Sequence, residues 1–386
     1  MSNKQGKKSH ESSLNKGSFI DFFSDMPDPR LDRKKLYNLT DIFVVVLCGV
    51  LTGAESWVEI EQFGKVKLNW LRQFVPLVNG IPSHDTLGRV FSLIDPEEFG
   101  KRFLGWIRSV SKKTKGGVIA IDGKTLRRSH DESSGRSAIH MISAWATENR
   151  LVLGQLKTSE KSNEITAIPE LLKLLDINDC IVTIDAMGCQ RKIARQITSQ
   201  GGHYILGLKE NQSKLAEDVE DFFSCAQRDD FSFLRHDYTK TTEKDHGRIE
   251  TREYWIADEA SFDADGAWGG LKSVGMVKST RNTKNGLSVD TRYYICSCEG
   301  LSANGFAHAV RGHWGIENSL HWVLDVAFRE DECRVRKGHA AENLSRIRHV
   351  ALNLLREEKE VCKLGIKAKR HRCAIDEEYL QAVMGF

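Results

Sequence analysis

Two short stretches of the sequence end alike. "VIAIDG" puts Asp122 at the end of an apolar run closed by Gly123, and "IVTIDAMG" puts Asp185 in the same place. Packing alone asks for no carboxylate there. In sheets flanked by helices, ligands collect at strand ends. If the two strands are neighbours, Asp122 and Asp185 point into one crevice, where like charges repel unless a cation lies between them. A third acid, Glu317, lies in "RGHWGIENSLHW", an amphipathic helix carrying Trp314 and Trp322. A carboxylate on such an apolar face is costly unless it is paired or holds a cation. All-oxygen donors with open positions favour Mg²⁺, with Mn²⁺ as substitute, over zinc. Asp122, Asp185 and Glu317 are therefore the candidate catalytic and metal-holding set. Their chemistry would be activation of a hydroxyl for attack on a phosphodiester. Taken singly, each aspartate is as well read as a helix cap or a turn residue.

Other residues around these acids admit two readings. His313, Glu317 and His321 are spaced i, i+4, i+8 on one helix face. Two helical histidines can bind zinc, but a Glu intervenes and no third anchor follows, so contact with phosphate or packing on the tryptophans is preferred. Lys124, Arg127 and Arg128 follow Asp122 closely and are candidates for phosphate contact or for an ordinary polar loop. "HGRIETR" alternates His246, Arg248, Glu250 and Arg252 on one strand face, either a salt-bridged solvated face or a DNA-backbone contact. Trp255 and Trp268 are read as packing residues rather than as platforms for a base.

The elements that must position these groups follow from patterning. Residues 1–35 read as a polar arm. From 36 to 113 the pattern is helical, with Ser83 as an N-cap and Asp95 before Pro96 as a strong helix start. Within it, "SHDTLGRVF", with His84 and Arg89, is either a DNA-reading helix or a structural one. From 114 to 223 the order is β-β-β-α-β-α-β-α. Three strands in succession imply antiparallel pairing, and the later alternation implies parallel crossovers. Residues 224–300 are strand-rich. Two long helices follow, about 303–328 and 338–358, and then a basic tail over 361–386. The fold class is thus α/β: a mixed sheet flanked by helices, with a β-rich insertion and an N-terminal helical domain.

Bulk properties narrow the function. The 386 residues carry 40% hydrophobic residues, enough for a real core, and a net charge of +3 that neither demands nor excludes nucleic acid. Basic residues cluster in "RKK", "GKTLRR", "RVRKGH" and "KLGIKAKRHR", each a phosphate footprint or a solvated face. The longest apolar run, "IFVVVLCGVL", is too short to span a bilayer, and the polar start has no signal region, so a soluble cytoplasmic protein is expected. Nine scattered cysteines without a CxxC pair argue against disulfide frameworks and zinc ribbons.

Together, "AIDGKTLR", "TIDAMGCQ", "LKENQ", "HGRIETR" and "HWGIENSLHWVLDVAFRED" resemble the DDE transposases of bacterial insertion sequences. The likeness is strongest to the H-repeat-associated group and runs nearly end to end. It includes "YNLTDIFVVVLCGVLTGAESWVEIEQFG" and "PSHDTLGRVF", which are similar to the family's associated domain. The resemblance implies an RNase H-like core and metal-dependent cutting and rejoining of double-stranded DNA at element ends. It places Asp122, Asp185 and Glu317 at the three acidic positions. It tips the "HGRIETR" face towards DNA, so the candidate DNA contacts are Lys124, Arg127, Arg128, Lys209, His246, Arg248, Arg252, Arg311, His313, His321, Arg334 and Arg336. A homodimer on paired ends, with no membrane and no small-molecule cofactor, goes with that mechanism. One departure stands out. Relatives place Tyr, Arg and Lys around the glutamate where this chain has Val310, His313 and Leu324. Arg311, or Arg334 and Arg336 with Lys337, are the candidates to supply the missing charge. The alternative function is a DNA-binding protein derived from a transposase that no longer cuts.

Overall fold

A computed structural model describes residues 19–111, 116–130, 137–158, 164–245, 248–263, 266–284, 286–359 and 361–386. The N-terminal helices are α1 (Phe19–Phe23), α2 (Leu39–Leu51), α3 (Trp57–Val66), α4 (Leu68–Leu71), α5 (His84–Leu93) and α6 (Pro96–Val110). Their starts are where the sequence signals them: Ser83 accepts from the Thr86 N–H, and Asp95 accepts from the Glu97 N–H with Pro96 following. Then come β1 (Val118–Thr125), β2 (His140–Ala146), β3 (Leu151–Thr158), α7 (Glu164–Leu174), β4 (Ile181–Ile184), α8 (Arg191–Ser199), β5 (His203–Leu208) and α9 (Ser213–Arg228). Four long strands follow, β6 (His236–Asp245), β7 (Arg248–Asp258), β8 (Ser273–Thr283) and β9 (Gly286–Cys296). The chain ends in α10 (Ala303–Gly315), α11 (Trp322–Phe328), α12 (Ala340–Glu357), α13 (Ile366–Ile375) and α14 (Glu377–Met384).

All nine described strands form one sheet in the order β3-β2-β1-β4-β5-β9-β8-β7-β6. The β1–β4 and β4–β5 pairs are parallel, while β1–β2, β2–β3 and β5–β9 are antiparallel. The half from β3 to β5, with helices on both faces, is RNase H-like. The strand-rich stretch is not a separate sheet: β9 hydrogen-bonds to β5, so β6–β9 lengthen the core sheet.

Packing also joins regions that the sequence separates. One hydrophobic core takes in the N-terminal helices, Trp145 and Val152 of the sheet, the helix around Leu320, and α12. Helix α12 is buried all round, more deeply than a helix packed by one face. Its Asn343 donates to the carbonyls of Phe91 and Ile94, and its Asn353 exchanges hydrogen bonds with Val152. On the opposite sheet face α7, α8 and α9 enclose a second core.

The 361–386 stretch is a corrected expectation. It is not a tail but two helices, with two of its cations, Lys369 and Arg370, turned inward. Buried Lys369 donates to the Leu355 carbonyl at the end of α12, and Arg370 donates to Val50 O at the end of α2 and to Ala327 O in α11. Unpaired carbonyls at helix ends attract such cations, and this is why a basic stretch folds here.

Gly275 marks another close approach: a Cβ there would run into the Phe306 ring of α10. Gly275→Ala is expected to cost about 1–3 kcal/mol of stability through overpacking, read as a lowered urea midpoint. An unchanged midpoint would count against this packing.

Candidate active site

Strands β1 and β4 pair with Ile121 opposite Ile184. Asp122 and Asp185 are the next residues on each, so they stand side by side, about 5 Å apart in the backbone as on any adjacent strands. Asp185 Oδ1 accepts from the N–H groups of Met187 (3.1 Å) and Gly188 (3.3 Å), which turns the chain sharply into "AMG". The cap reading of Asp185 therefore holds, and it leaves Oδ2 outside that pair of hydrogen bonds. Gly123 is small for a reason of space: a Cβ would collide with His140 Nε2 and Glu164 Oε1. Those two side chains form a buried pair, 2.5 Å apart, beneath the site. Glu164 is a carboxylate that patterning alone missed, because it begins a helix with an ordinary start.

Glu317 arrives from the other side. The unbroken helix expected over 303–328 is widened at Ile316–His321 into a π-helix, a rare turn that is frequent at functional sites. Glu317 and Asp185 line one cleft of about 220 Å³ together with Lys209, Arg292 and His313. Glu317 is exposed, not buried, and so are Trp314 and Trp322 at 38% and 61%. The face expected to pack therefore looks outward, and the packing face is carried by Ile316, Leu320 and Leu324 instead.

The acids feel one another. Burial, then the charges of Asp185, Glu317 and Glu164, push the Asp122 carboxyl up to about 7 against the opposing Gly123 N–H. Partial burial raises Glu317, Arg292 opposes that shift, and Asp185 adds to it. Such a set gains most from a bound cation. Yet among the described residues no three His, Cys, Asp or Glu side chains are drawn close enough to grip an ion as they stand. The donors fit a hard divalent cation in type, and the zinc alternative on His313 and His321 does not hold. His313 Nδ1 meets Thr183 Oγ1 at 3.2 Å, and His321 Nδ1 sits 3.6 Å from Asp122 Oδ2. Burial lowers both histidines, His321 to about 3. His321 therefore stands neutral beside Asp122, and its buried Nε2 has no partner among the described residues.

The other expected contact residues divide into groups. Lys209 is exposed at the mouth of the cleft. Lys124 is not free for phosphate: its side chain is 10% exposed and meets Asp325, Glu330 (3.2 Å) and Asp331 (3.3 Å). Asp122 and Lys124 share a strand face, so the same geometry that aims the aspartate at the site drives the lysine into the acids of "LDVAFRED". Arg127 is 80% exposed and 3.2 Å from Asp331. Arg128 is exposed, and its carbonyl accepts from Arg336, while Arg334 is exposed nearby in sequence. These arginines form a loop surface apart from the cleft lining.

Arg248, Arg252 and Arg311 line a larger groove, about 760 Å³, that runs along β7–β9 to Glu317. There Arg252 pairs with Glu250 (2.7 Å) and Glu243 (3.0 Å), and Arg311 pairs with Glu243 (2.8 Å). The salt-bridged face and the groove are thus the same surface. His246 lies outside the described residues. Trp255 and Trp268 are buried at 8% and 2%, as packing residues. His84 of α5 is held by Glu61 at 2.7 Å, and Arg89 is exposed.

The profile described as "Transposase DDE domain" matches residues 113–354, and the one described as "DDE_Tnp_1-associated" matches residues 20–107. The "H repeat-associated putative transposase YhhI" of Escherichia coli K12 is 44% identical over 371 residues, 95% of this chain and 97% of that protein. The "Putative transposase YncI" of Escherichia coli O157:H7 is 45% identical over 372 residues, 95% of this chain and 94% of that protein. With the domain profile covering most of its length and such relatives spanning nearly all of it, the chain belongs to the DDE transposase family, in its H-repeat-associated group.

Proposed function

We propose that this transposase cuts double-stranded DNA at the ends of its own element and joins the freed ends to a target. Asp122, Asp185 and Glu317 would be its catalytic acids. The observation that carries the reading is the register of β1 on β4, which sets Asp122 beside Asp185, with Glu317 facing Asp185 across the cleft. The three acids would hold Mg²⁺, with Mn²⁺ as substitute. Such ions, when bound, lower the pKa of the attacking hydroxyl and offset charge on the leaving oxygen. The protein's own part is placement. His321 packs beside Asp122, and the Met187 and Gly188 N–H groups fix Asp185. Lys209 and the arginine groove meet the DNA backbone, with Arg127, Arg128, Arg334 and Arg336 as a second contact surface. Two copies would bridge paired ends. No described helix is long and apolar enough to cross a membrane, in keeping with work on DNA in the cytoplasm.

The test is incubation with labelled duplex carrying the DNA that flanks the coding sequence, in Mg²⁺, in Mn²⁺ and in EDTA. Nicking at a defined junction in either metal, and none in EDTA, is expected. One observation favours a second reading, a DNA-binding protein that no longer cuts. Val310 and Leu324, at the two places where the insertion-sequence transposase pattern leads one to expect Tyr and Lys, are apolar and buried at 5% and 0%. Binding with no nick in any metal would be its signature.

A pH dependence follows from Asp122. Its folded pKa lies above its unfolded value, so ionising it in the native state is uphill. Without metal, its contribution to stability is full below about 4 and is lost as pH rises through about 7. Cation uptake below pH 7 must then expel that proton. Mn²⁺ affinity is expected to rise between pH 5 and about 7 and then level off. Calorimetric titration in two buffers of different ionisation heat reads the proton directly. A pH-independent affinity without proton release contradicts the assignment.

A further inference from the structure

Arg292 of β9 lines both cavities, the cleft with Asp185 and Lys209 and the long groove, and Glu317 borders both as well. It is thus placed where the groove opens onto the acids. Its neighbours in the groove are answered: Arg252 and Arg281 by Glu250, and Arg311 by Glu243. Arg292 is paired as well, but through its Nε, which donates to Asp290 at 2.8 Å, whereas Arg311 gives both terminal nitrogens to Glu243 at 3.1 and 2.8 Å. The Arg292 guanidinium lies 4.8 Å over the Trp314 ring. Stacking on an indole holds the planar fork in one orientation without neutralising it. The side chain remains 40% exposed. The glutamate helix presents His313 to the cleft, with its Nδ1 against Thr183 Oγ1, while Arg292 enters from the neighbouring strand.

We propose that Arg292 binds a DNA phosphate next to the one under attack, holding the strand as it leaves the groove and enters the cleft at Glu317. This rests on the reading of the cleft as a DNA site, but not on the cleft being competent to cut. A planar guanidinium binds a phosphate through two parallel hydrogen bonds, and the Trp314 stack orients that fork beforehand. Arg311, the nearer candidate in sequence, is engaged by Glu243 instead.

The experiment is equilibrium binding in EDTA of the same flanking duplex, with single methylphosphonates placed one at a time across the junction. In wild-type protein one substitution next to the junction is expected to weaken binding roughly tenfold, the loss of one charge-assisted contact. Arg292→Ala is expected to lose a similar factor on unmodified DNA and to become blind to that one substitution. Its log Kd should also depend less steeply on log salt, by about one unit of slope. Arg292→Lys keeps the charge but not the fork and should recover part of the affinity. The proposal is overturned if Arg292→Ala binds as wild type does, or if it keeps every methylphosphonate effect undiminished. A purely structural Arg292 would give that second result. Because no cleavage is read, a protein that binds but never cuts decides this proposal as well as an active one does.

Discussion

Asp185→Asn is expected to abolish strand cleavage, by on the order of 10³-fold or more, while leaving DNA binding in place. The substitution separates the two jobs of this side chain. Its Oδ1 accepts from the Met187 and Gly188 N–H groups, and an asparagine oxygen can do the same, so the turn after β4 survives. What goes is the negative charge that a divalent cation requires. Affinity for DNA comes from Lys and Arg contacts with phosphate, and removing an acid from the cleft does not weaken those. The measurement is the flanking-duplex nicking assay beside a gel-shift titration, both on protein whose melting temperature matches wild type. Cleavage at the wild-type rate would remove Asp185 from the catalytic set.

Glu330→Gln is expected to destabilise the fold by about 3–5 kcal/mol, the cost of leaving buried charges without their partner. Glu330 is 2% exposed. Burial would raise its carboxyl, but Lys124, His349, Arg348 and Ser345 outweigh burial and hold it down to about 2. Ser345 donates to it at 2.9 Å and Lys124 lies at 3.2 Å. It ties β1, the turn after α11, and α12 together directly beneath His321 and the π-helix. The sign follows from the depressed pKa. Its stabilisation is complete above the unfolded value near 4.5 and is lost as pH falls towards 2. Urea unfolding at pH 7 should show the full loss in Glu330→Gln, and the difference from wild type should shrink as the pH falls through 4. A constant difference across that range would mean that the carboxylate charge is not what stabilises the fold.

The strands that carry Asp122 and Asp185 were legible because each is a short apolar run ended by a small residue, and the helix starts because Ser83 and Asp95 are local caps. What escaped was set at long range. No local pattern says that β9 pairs with β5, and so the strands after 235 read as an insertion of their own. Lys124 reads as a free cation until α11 brings Asp325 down on it. Lys369 and Arg370 read as a basic tail because the helix ends they cap lie far away in sequence. Glu317 was singled out by its motif on the expectation of a packed, apolar helix face, and that expectation does not match the structure. The π-helix turns it outward, and the apolar face is made by Ile316, Leu320 and Leu324. Arg292 left a faint signal. Asp290, Arg292 and Tyr294 alternate along β9 on the groove side, but alternation alone does not say what lies opposite.

The central claim is that three acids from separate parts of the chain share a divalent cation. Crystals soaked in Mn²⁺ and measured at the manganese edge test it most directly. The expected result is anomalous density between Asp122, Asp185 and Glu317, lost in Asp185→Asn. Density elsewhere with the cleft empty, or unchanged density in that variant, would contradict it.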